Sequence, residues 1–104
     1  MKKDKVNNKP AGGPGARSVR IEFDHATATR IAIAGTFNDW RPGATPMVSL
    51  GEGRWVKELV LPPGVYEYRL VVDGEWMADP RASESVGNPF GEMNSVLKVN
   101  GCAS

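Results

Sequence analysis

Cysteine, histidine and long apolar runs are scarce in this sequence of 104 residues, and each shortage excludes a class of protein. Cys102 is the single cysteine and has no partner for an internal disulfide; with the single histidine, His25, it is too little for a metal cluster. No segment approaches the roughly 20 apolar residues of a membrane-spanning helix, and no apolar run follows the N-terminal lysines as in a secretory signal. We therefore expect a soluble, cytoplasmic protein that uses no metal or other cofactor.

Charge is unevenly distributed along the chain. The first 17 residues hold five Lys/Arg and one Asp, a net charge of +4, whereas the remainder holds eight Lys/Arg and eleven Asp/Glu, a net charge of −3. Nucleic-acid binding depends on clustered cations, so a mildly acidic body argues against it. Residues 1–17, rich in Lys, Pro and Gly, are predicted to form a disordered tail with a solubilising or linker role rather than an arm for an acidic partner.

Short apolar runs separated by glycine and proline predict many strands and no long helix. The most regular pattern covers 64–72, where two tyrosines, Leu70 and Val72 alternate with Glu67 and Arg69, so that one strand face is apolar and the other carries a cation. Strands are predicted over residues 19–23, 30–34, 47–50, 54–61, 64–72 and 95–99, and a long loop over 77–94. This pattern favours an all-β antiparallel sandwich of about seven strands over residues 18–100, with 101–104 as a frayed end.

The three tryptophans fall in different contexts. Trp55 is in phase with the leucines that end its strand and is predicted to lie in the core. Trp40 follows Asn38-Asp39, and Trp76 follows an Asp-Gly turn. We expect both of these indoles at the surface.

Groups for catalysis are missing. One histidine and no strand-turn-helix around a serine exclude acyl-transfer chemistry. Asp73, Glu75 and Asp79 are close in sequence, as a glycosidase acid and base would be, but Asp73 belongs to a hairpin turn and nothing supplies an apolar pocket. The sequence therefore predicts a protein that is not an enzyme.

What remains is an aromatic and polar surface set: Trp40, Trp76 and Phe90 as apolar faces, with Arg69 and Asn94 as hydrogen-bonding groups. Pyranose rings have apolar C–H faces and equatorial hydroxyls, which suit indole platforms flanked by such groups. The alternative is that both tryptophans are packing residues.

Five blocks, together with Trp55 and Asp79-Pro80, carry a family resemblance: AGTFNDW at 34–40, LVLPPGVYEYR at 59–69, VDGEW at 72–76, NPFG at 88–91 and NSV at 94–96. In this order and spacing they resemble carbohydrate-binding module family 48 over about residues 18–100. That family includes the glycogen-binding domain of AMP-activated protein kinase β subunits and the N-terminal domains of isoamylases and glycogen branching enzymes.

The resemblance implies an immunoglobulin-like, early-set sandwich that binds α-1,4-glucan such as glycogen, starch or malto-oligosaccharide. It places Trp40 and Trp76 as stacking platforms, Arg69 where a lysine bonds hydroxyls, Asn94 where the family has an asparagine near the last strand and Phe90 where a leucine packs on the sugar. Enzyme-attached members often lack this aromatic pair, so its presence favours glucan binding.

Three departures from the kinase-type pattern are visible. Arginine replaces lysine at 69, which keeps the charge and changes the geometry. The loop before the last strand is one residue longer, and Glu92 stands where the kinase domain has a threonine, so that contact is not carried over. The alternative function is a protein-interaction module that docks a glycogen-metabolising enzyme or a kinase complex.

Overall fold

The computed structural model describes residues 15–100, so most of the predicted tail and the predicted frayed end lie outside the described residues. The described chain forms eight strands: β1 Arg17–Asp24, β2 Ile31–Gly35, β3 Val48–Gly51, β4 Arg54–Leu61, β5 Gly64–Val72, β6 Glu75–Met77, β7 Glu84–Gly87 and β8 Met93–Val99. Between residues 15 and 100 the only helix is one 3₁₀ turn at Pro42–Ala44, and no helix in that range is long and apolar enough to cross a membrane.

The strands form two antiparallel sheets that share one core. The first sheet has the order β1-β4-β3; the second has the order β2-β5-β8-β7, with β6 pairing with β5. Both sheets contribute buried side chains to a single cluster: Ile21, Phe23, Ile31, Ile33, Met47, Trp55, Leu59, Leu61, Tyr68, Leu70, Val72 and Val99. The predicted all-β sandwich is therefore confirmed.

The alternation predicted for β5 is also confirmed. Tyr68, Leu70 and Val72 are buried in the core, whereas Glu67 and Arg69 point to the outer face of the second sheet, away from the first sheet. Trp55 lies in the core, as its phase predicted.

Two strands lie within or beside the segment that was predicted to be a loop. β6 turns back along β5, and β7 pairs with β8, with Ser85 opposite Ser95. Every residue of β7 is exposed, so its sequence shows no apolar alternation, and its position depends on backbone hydrogen bonds to β8. The prediction of a structureless loop over 77–94 was wrong for this reason.

The turn at Pro62-Pro63 brings both ends of the described chain together. Arg17 pairs with Leu61 at the end of β4, and Val99 pairs with Gly64 at the start of β5. Trp76, in contrast, pairs with Val71 near the other end of β5.

Candidate functional site

A cleft of about 480 Å³ lies on the outer face of the second sheet. Its floor is formed by side chains of β5 and β8, and its walls come from three separate turns and loops. The residues that line the cleft are Thr36, Trp40, Glu67, Arg69, Trp76, Asn88, Pro89, Phe90 and Asn94.

The first wall is Trp40, presented by the turn that follows β2. The Asn38 side chain closes this turn: its Oδ1 accepts the amide protons of Gly35 at 3.0 Å and Arg41 at 3.2 Å, and its Nδ2 donates to the Ile33 carbonyl at 2.9 Å. The Trp40 amide donates to the Gly35 carbonyl at 2.9 Å. Local hydrogen bonds therefore position the backbone that carries the Trp40 ring.

This turn is under backbone constraint. Asp39 and Trp40 both have left-handed conformations, with φ of 62° and 58°, which L residues seldom adopt in succession. Gly35 has no room for a side chain, since a Cβ would lie 2.6 Å from the Glu67 carbonyl oxygen and 2.8 Å from the Tyr68 Cβ. Such strain at a surface turn is typical of a functional position.

The second wall is Trp76, on β6 and 41% exposed. The preceding hairpin turn has φ of 49° at Asp73 and 89° at Gly74, the left-handed pair that a two-residue turn of this type requires. The Asp73 carboxylate accepts amide protons from Thr29 and Arg30, with distances of 3.0 and 2.8 Å to Oδ1. The turn is thereby fixed to the rest of the sheet.

Arg69 links the second wall to the loop between β7 and β8. Its Nη2 donates to the Trp76 carbonyl at 3.3 Å and to Glu92 Oε1 at 2.8 Å, and its side chain is only 12% exposed. Its Nε is buried without a hydrogen-bond partner in the described part of the chain. Of the two terminal nitrogens, Nη2 makes both bonds and Nη1 makes neither, so the guanidinium acts mainly as a brace for Trp76.

The third wall is Phe90, which is 87% exposed at the tip of the loop between β7 and β8. Asn88 organises this loop: its Oδ1 accepts the amide protons of Phe90 at 2.9 Å and Glu92 at 3.0 Å. Gly91 has a φ of 83°, which reverses the chain. The exposed ring is thus held on an ordered turn.

A chain of hydrogen bonds crosses the floor. Asn88 Nδ2 donates to Asn94 Oδ1 at 3.1 Å, and Asn94 Nδ2 donates to Glu67 Oε1 at 3.0 Å. Asn94 is only 6% exposed, so its amide connects the loop to β5. The floor is therefore a fixed polar network rather than a set of free side chains.

A family model described as the glycogen recognition site of AMP-activated protein kinase matches residues 17–103. The chain belongs to this family. It is a non-catalytic glycogen-recognition module, of the type of carbohydrate-binding module family 48, as its five sequence blocks predicted.

Several curated proteins are similar to the module. The SNF1-related protein kinase regulatory subunit beta-2 of Arabidopsis thaliana is 38% identical over 63 residues, 58% of this chain and 21% of that protein. The 5'-AMP-activated protein kinase subunit beta-1 of Sus scrofa is 30% identical over 69 residues, 66% of this chain and 53% of that sequence. An amyloplastic phosphoglucan phosphatase of Castanea sativa is 26% identical over 81 residues, 78% of this chain and 22% of that protein. The chain thus spans from about a fifth to about half the length of these relatives.

All five residues that the sequence singled out line the same cleft of the module: Trp40, Arg69, Trp76, Phe90 and Asn94. Their contact with a ligand stays a prediction. Sequence reasoning did not select Glu67, Asn88 or Glu92, although Glu67 and Asn88 stand in blocks that carry the resemblance. Glu67 and Glu92 act through pairings with residues 27 and 23 positions away, which no local pattern reveals. Asn88 bonds within its own loop, where its place in the NPFG block was the available signal.

Two of the three carboxylates considered for catalysis have structural roles in the module, and the third, Glu75, is exposed on β6. Asp73 fixes the hairpin turn, and Asp79 is buried, with Oδ2 accepting the Tyr68 hydroxyl proton at 2.5 Å. Burial, together with this hydrogen bond, raises the pKa of Tyr68 well above its usual value. His25 Nδ1 accepts the amide proton of Ala28 at 3.0 Å. In residues 15–100 no group of three or more His, Cys, Asp or Glu is placed to hold a metal ion.

Proposed function

We propose that the cleft binds α-1,4-glucan, with Trp40 and Trp76 stacking on pyranose faces and Phe90 covering the bound chain from the loop side. The observation that carries this proposal is the convergence of three aromatic side chains, from three segments far apart in sequence, on one cleft of the second sheet. Aromatic faces so placed suit the apolar C–H surface of a sugar ring.

The expected affinity is modest. If each indole removes on the order of 60 to 100 Å² of apolar surface from water, each contributes about 2 kcal/mol. After the cost of association, a Kd of about 10⁻³ to 10⁻⁵ M follows for a short oligosaccharide. Such affinity is sufficient on a branched polymer, where repeated sites raise the apparent affinity.

The polar residues divide into two groups. Arg69 and Asn94 form most of their hydrogen bonds with other residues of the module, so their main role is to hold the aromatic walls in place. Nη1 of Arg69 is left to donate to a sugar hydroxyl. The carboxylates of Glu67 and Glu92 keep acceptor positions for sugar hydroxyl protons. The predicted site is thereby extended by these two residues.

An NMR titration with maltoheptaose tests the proposal. We expect the largest shifts at Trp40, Trp76 and Phe90, and an affinity about 30-fold lower for Trp76→Ala, the loss of about 2 kcal/mol. Val65→Ala is the control, because Val65 is exposed on the same sheet face and does not line the cleft. Shifts elsewhere, or an unchanged affinity of Trp76→Ala, would contradict the proposal.

A partner and a location remain predictions. Kinase subunits are among the relatives, and docking of this module to a glycogen-metabolising enzyme or a kinase complex is tested by a pull-down with and without glycogen. The cytoplasm stays the expected compartment.

The division into a tail at 1–17 and a sandwich at 18–100 is tested by limited proteolysis, which should remove the tail first.

A further inference from the structure

The cleft presents negative rather than positive charge to a ligand. Its lining includes the carboxylate of Glu67, and Glu92 stands at its edge, against a single cation, Arg69. The Glu92 side chain is 56% exposed, whereas that of Arg69 is 12% exposed and is already paired with it at 2.8 Å. The charge that a ligand meets is therefore that of the carboxylates.

Charges around the walls do not reverse this balance. Asp39 and Arg41 flank Trp40, and Asp39 Oδ2 lies 3.6 Å from Arg41 Nη2, so their opposite charges largely cancel. Glu75 is exposed, but its side chain alternates with that of Trp76 along β6 and does not line the cleft, so it leaves this balance unchanged.

The groups that usually hold a phosphate are occupied. The amides of Phe90 and Glu92 point at Asn88 Oδ1 instead of a concave anion site. The guanidinium of Arg69 cannot offer two parallel N–H groups, because Nε is buried and Nη2 is engaged.

We propose that the cleft selects neutral glucan and discriminates against glucan whose seated glucose units carry phosphate monoesters. The inference rests on the proposed function and specifies its substrate class. A glucose hydroxyl donates its proton to a carboxylate, whereas a phosphate monoester at neutral pH offers mainly acceptors and a charge of about −1.5 to −2. Glu67 and Glu92 are the specificity-determining residues.

The effect should be moderate and sensitive to salt. Charges several ångströms apart and near water interact weakly, so we expect about three- to tenfold weaker binding of the phosphorylated ligand at low ionic strength. Screening should reduce this ratio in about 0.5 M salt, where the Debye length is about 4 Å.

The test compares the binding of maltotetraose and of its 6-phosphate monoesters by NMR titration. Maltotetraose is short enough that a phosphate on it cannot lie far outside the cleft. The variants are Glu92→Gln and Glu67→Gln, which keep the side-chain shape and one oxygen to accept the bond from Arg69 or Asn94, while an uncharged NH2 group replaces the other oxygen. Glu84→Gln is the matched control, since Glu84 is exposed, paired with Lys98 at 3.0 Å and outside the cleft.

We expect the unmodified module to bind maltotetraose more tightly than its phosphate monoesters. The ratio of the two Kd values should fall toward one in the double Gln variant and in high salt, and it should be unchanged in Glu84→Gln. Equal or tighter binding of the phosphate esters by the unmodified module overturns the inference, as does a ratio that the double variant preserves. If the phosphate discrimination fails while maltotetraose still shifts the cleft residues, the proposed function stands; if maltotetraose causes no shifts, both fall.

Discussion

Two hollows of nearly equal size lie on the part of the molecule that the structure describes, and they differ in the side chains that line them: one is lined by aromatic rings, the other by charged residues that pair with one another. The cleft measures about 480 Å³, and a second hollow of about 440 Å³ lies where the sandwich opens between β1 and the β7–β8 edge. The second hollow is defined by its lining residues Val19, Arg20, Ile21, Glu22, Tyr68, Asp79, Arg81, Ala82, Ser83, Glu84, Val96, Leu97 and Lys98. Volume alone therefore does not distinguish a binding site from a gap between sheets.

The charged residues of the second hollow satisfy one another. Arg81 pairs with Asp24 at 2.7 Å and with Glu22 at 3.6 Å, so it joins the loop after β6 to β1. The tyrosine and aspartate of its floor are buried and hydrogen-bonded. The second hollow is thus a structural seam, whereas the cleft carries aromatic side chains that are open to solvent to different degrees: Phe90 is 87% exposed, Trp76 is 41% exposed and Trp40 is half-buried. Accessible aromatic faces are what stacking on a sugar ring requires.

The largest expected effect comes from removing the space on which the cleft turn depends. Gly35→Ala should lower the free energy of unfolding by about 2 to 4 kcal/mol, because the new Cβ would collide with backbone of β5. Chemical denaturation measures this change. Gly43→Ala is the control, since nothing lies within 4 Å of its Cβ position, and a comparable loss there would refute the steric explanation.

The second hollow should matter for stability and not for glucan. Tyr68→Phe leaves the buried Asp79 carboxylate without its hydroxyl donor, which costs about 1.5 to 3 kcal/mol, with glucan affinity unchanged. Tyr66→Phe, which removes a hydroxyl bonded to the Pro62 carbonyl at 2.6 Å, should cost about 1 kcal/mol.

The same pair predicts a pH dependence. The pKa of Tyr68 is raised above its ordinary value of 10.0 by burial and by Asp79, so folding favours the neutral phenol. This stabilisation is fully present below about pH 10 and is lost as the pH rises further. Unfolding monitored at alkaline pH should show the loss in the unmodified module and in Tyr66→Phe but not in Tyr68→Phe; equal slopes in all three would exclude Tyr68 as the cause.

A smaller effect separates the support of the cleft from its surface. Asn88→Ala removes the acceptor for two loop amides and the donor to Asn94, and should weaken maltoheptaose binding about five- to tenfold through disorder of the third wall. Asn88→Asp keeps the acceptor and should retain more of the loop order. Unchanged order of the loop amides in Asn88→Ala, measured by NMR relaxation, would contradict this role.

The smallest effect concerns the exposed ring alone. Phe90→Ala should leave the unfolding free energy within about 0.5 kcal/mol, because the ring contacts little in the free module, and should weaken glucan binding about fivefold. Isothermal titration calorimetry checks the affinity. Leu50→Ala, an exposed apolar residue of the first sheet, should change neither quantity, and an equal loss there would indicate a non-specific apolar effect.

The sequence alone was sufficient to predict those strands in which one face packs against the core. The alternation in β5 and the phase of Trp55 were sufficient because burial of one strand face imposes a period of two. β7 was missed because an edge strand exposed on both faces imposes no such period. In β3, the apolar residues Val48 and Leu50 are exposed, whereas Met47, just before the strand, lies in the core, so apolar character alone does not indicate which residues of this segment are buried.

The sequence predicted the aromatic residues that form the walls of the cleft, but not the side-chain hydrogen bonds that hold them in place. Asn38-Asp39 and Asp73-Gly74 are turn-forming pairs whose local chemistry indicated where Trp40 and Trp76 project. The brace from Arg69 to Glu92 and the bond from Asn94 to Glu67 connect residues that are adjacent only after β5 and β8 pair. Such contacts depend on register, which the sequence does not state.

The pairing of Arg17 with Leu61 and of Val99 with Gly64 has a consequence for tethering. Both strand ends leave the sandwich at the Pro62-Pro63 pole, whereas Trp76 lies opposite Val71, seven residues or roughly 24 Å farther along β5. A fusion partner or neighbouring domain joined at either point would therefore be attached at the end of the sandwich farthest from Trp76. The module can thus be linked to a much larger protein without placing the junction beside the cleft.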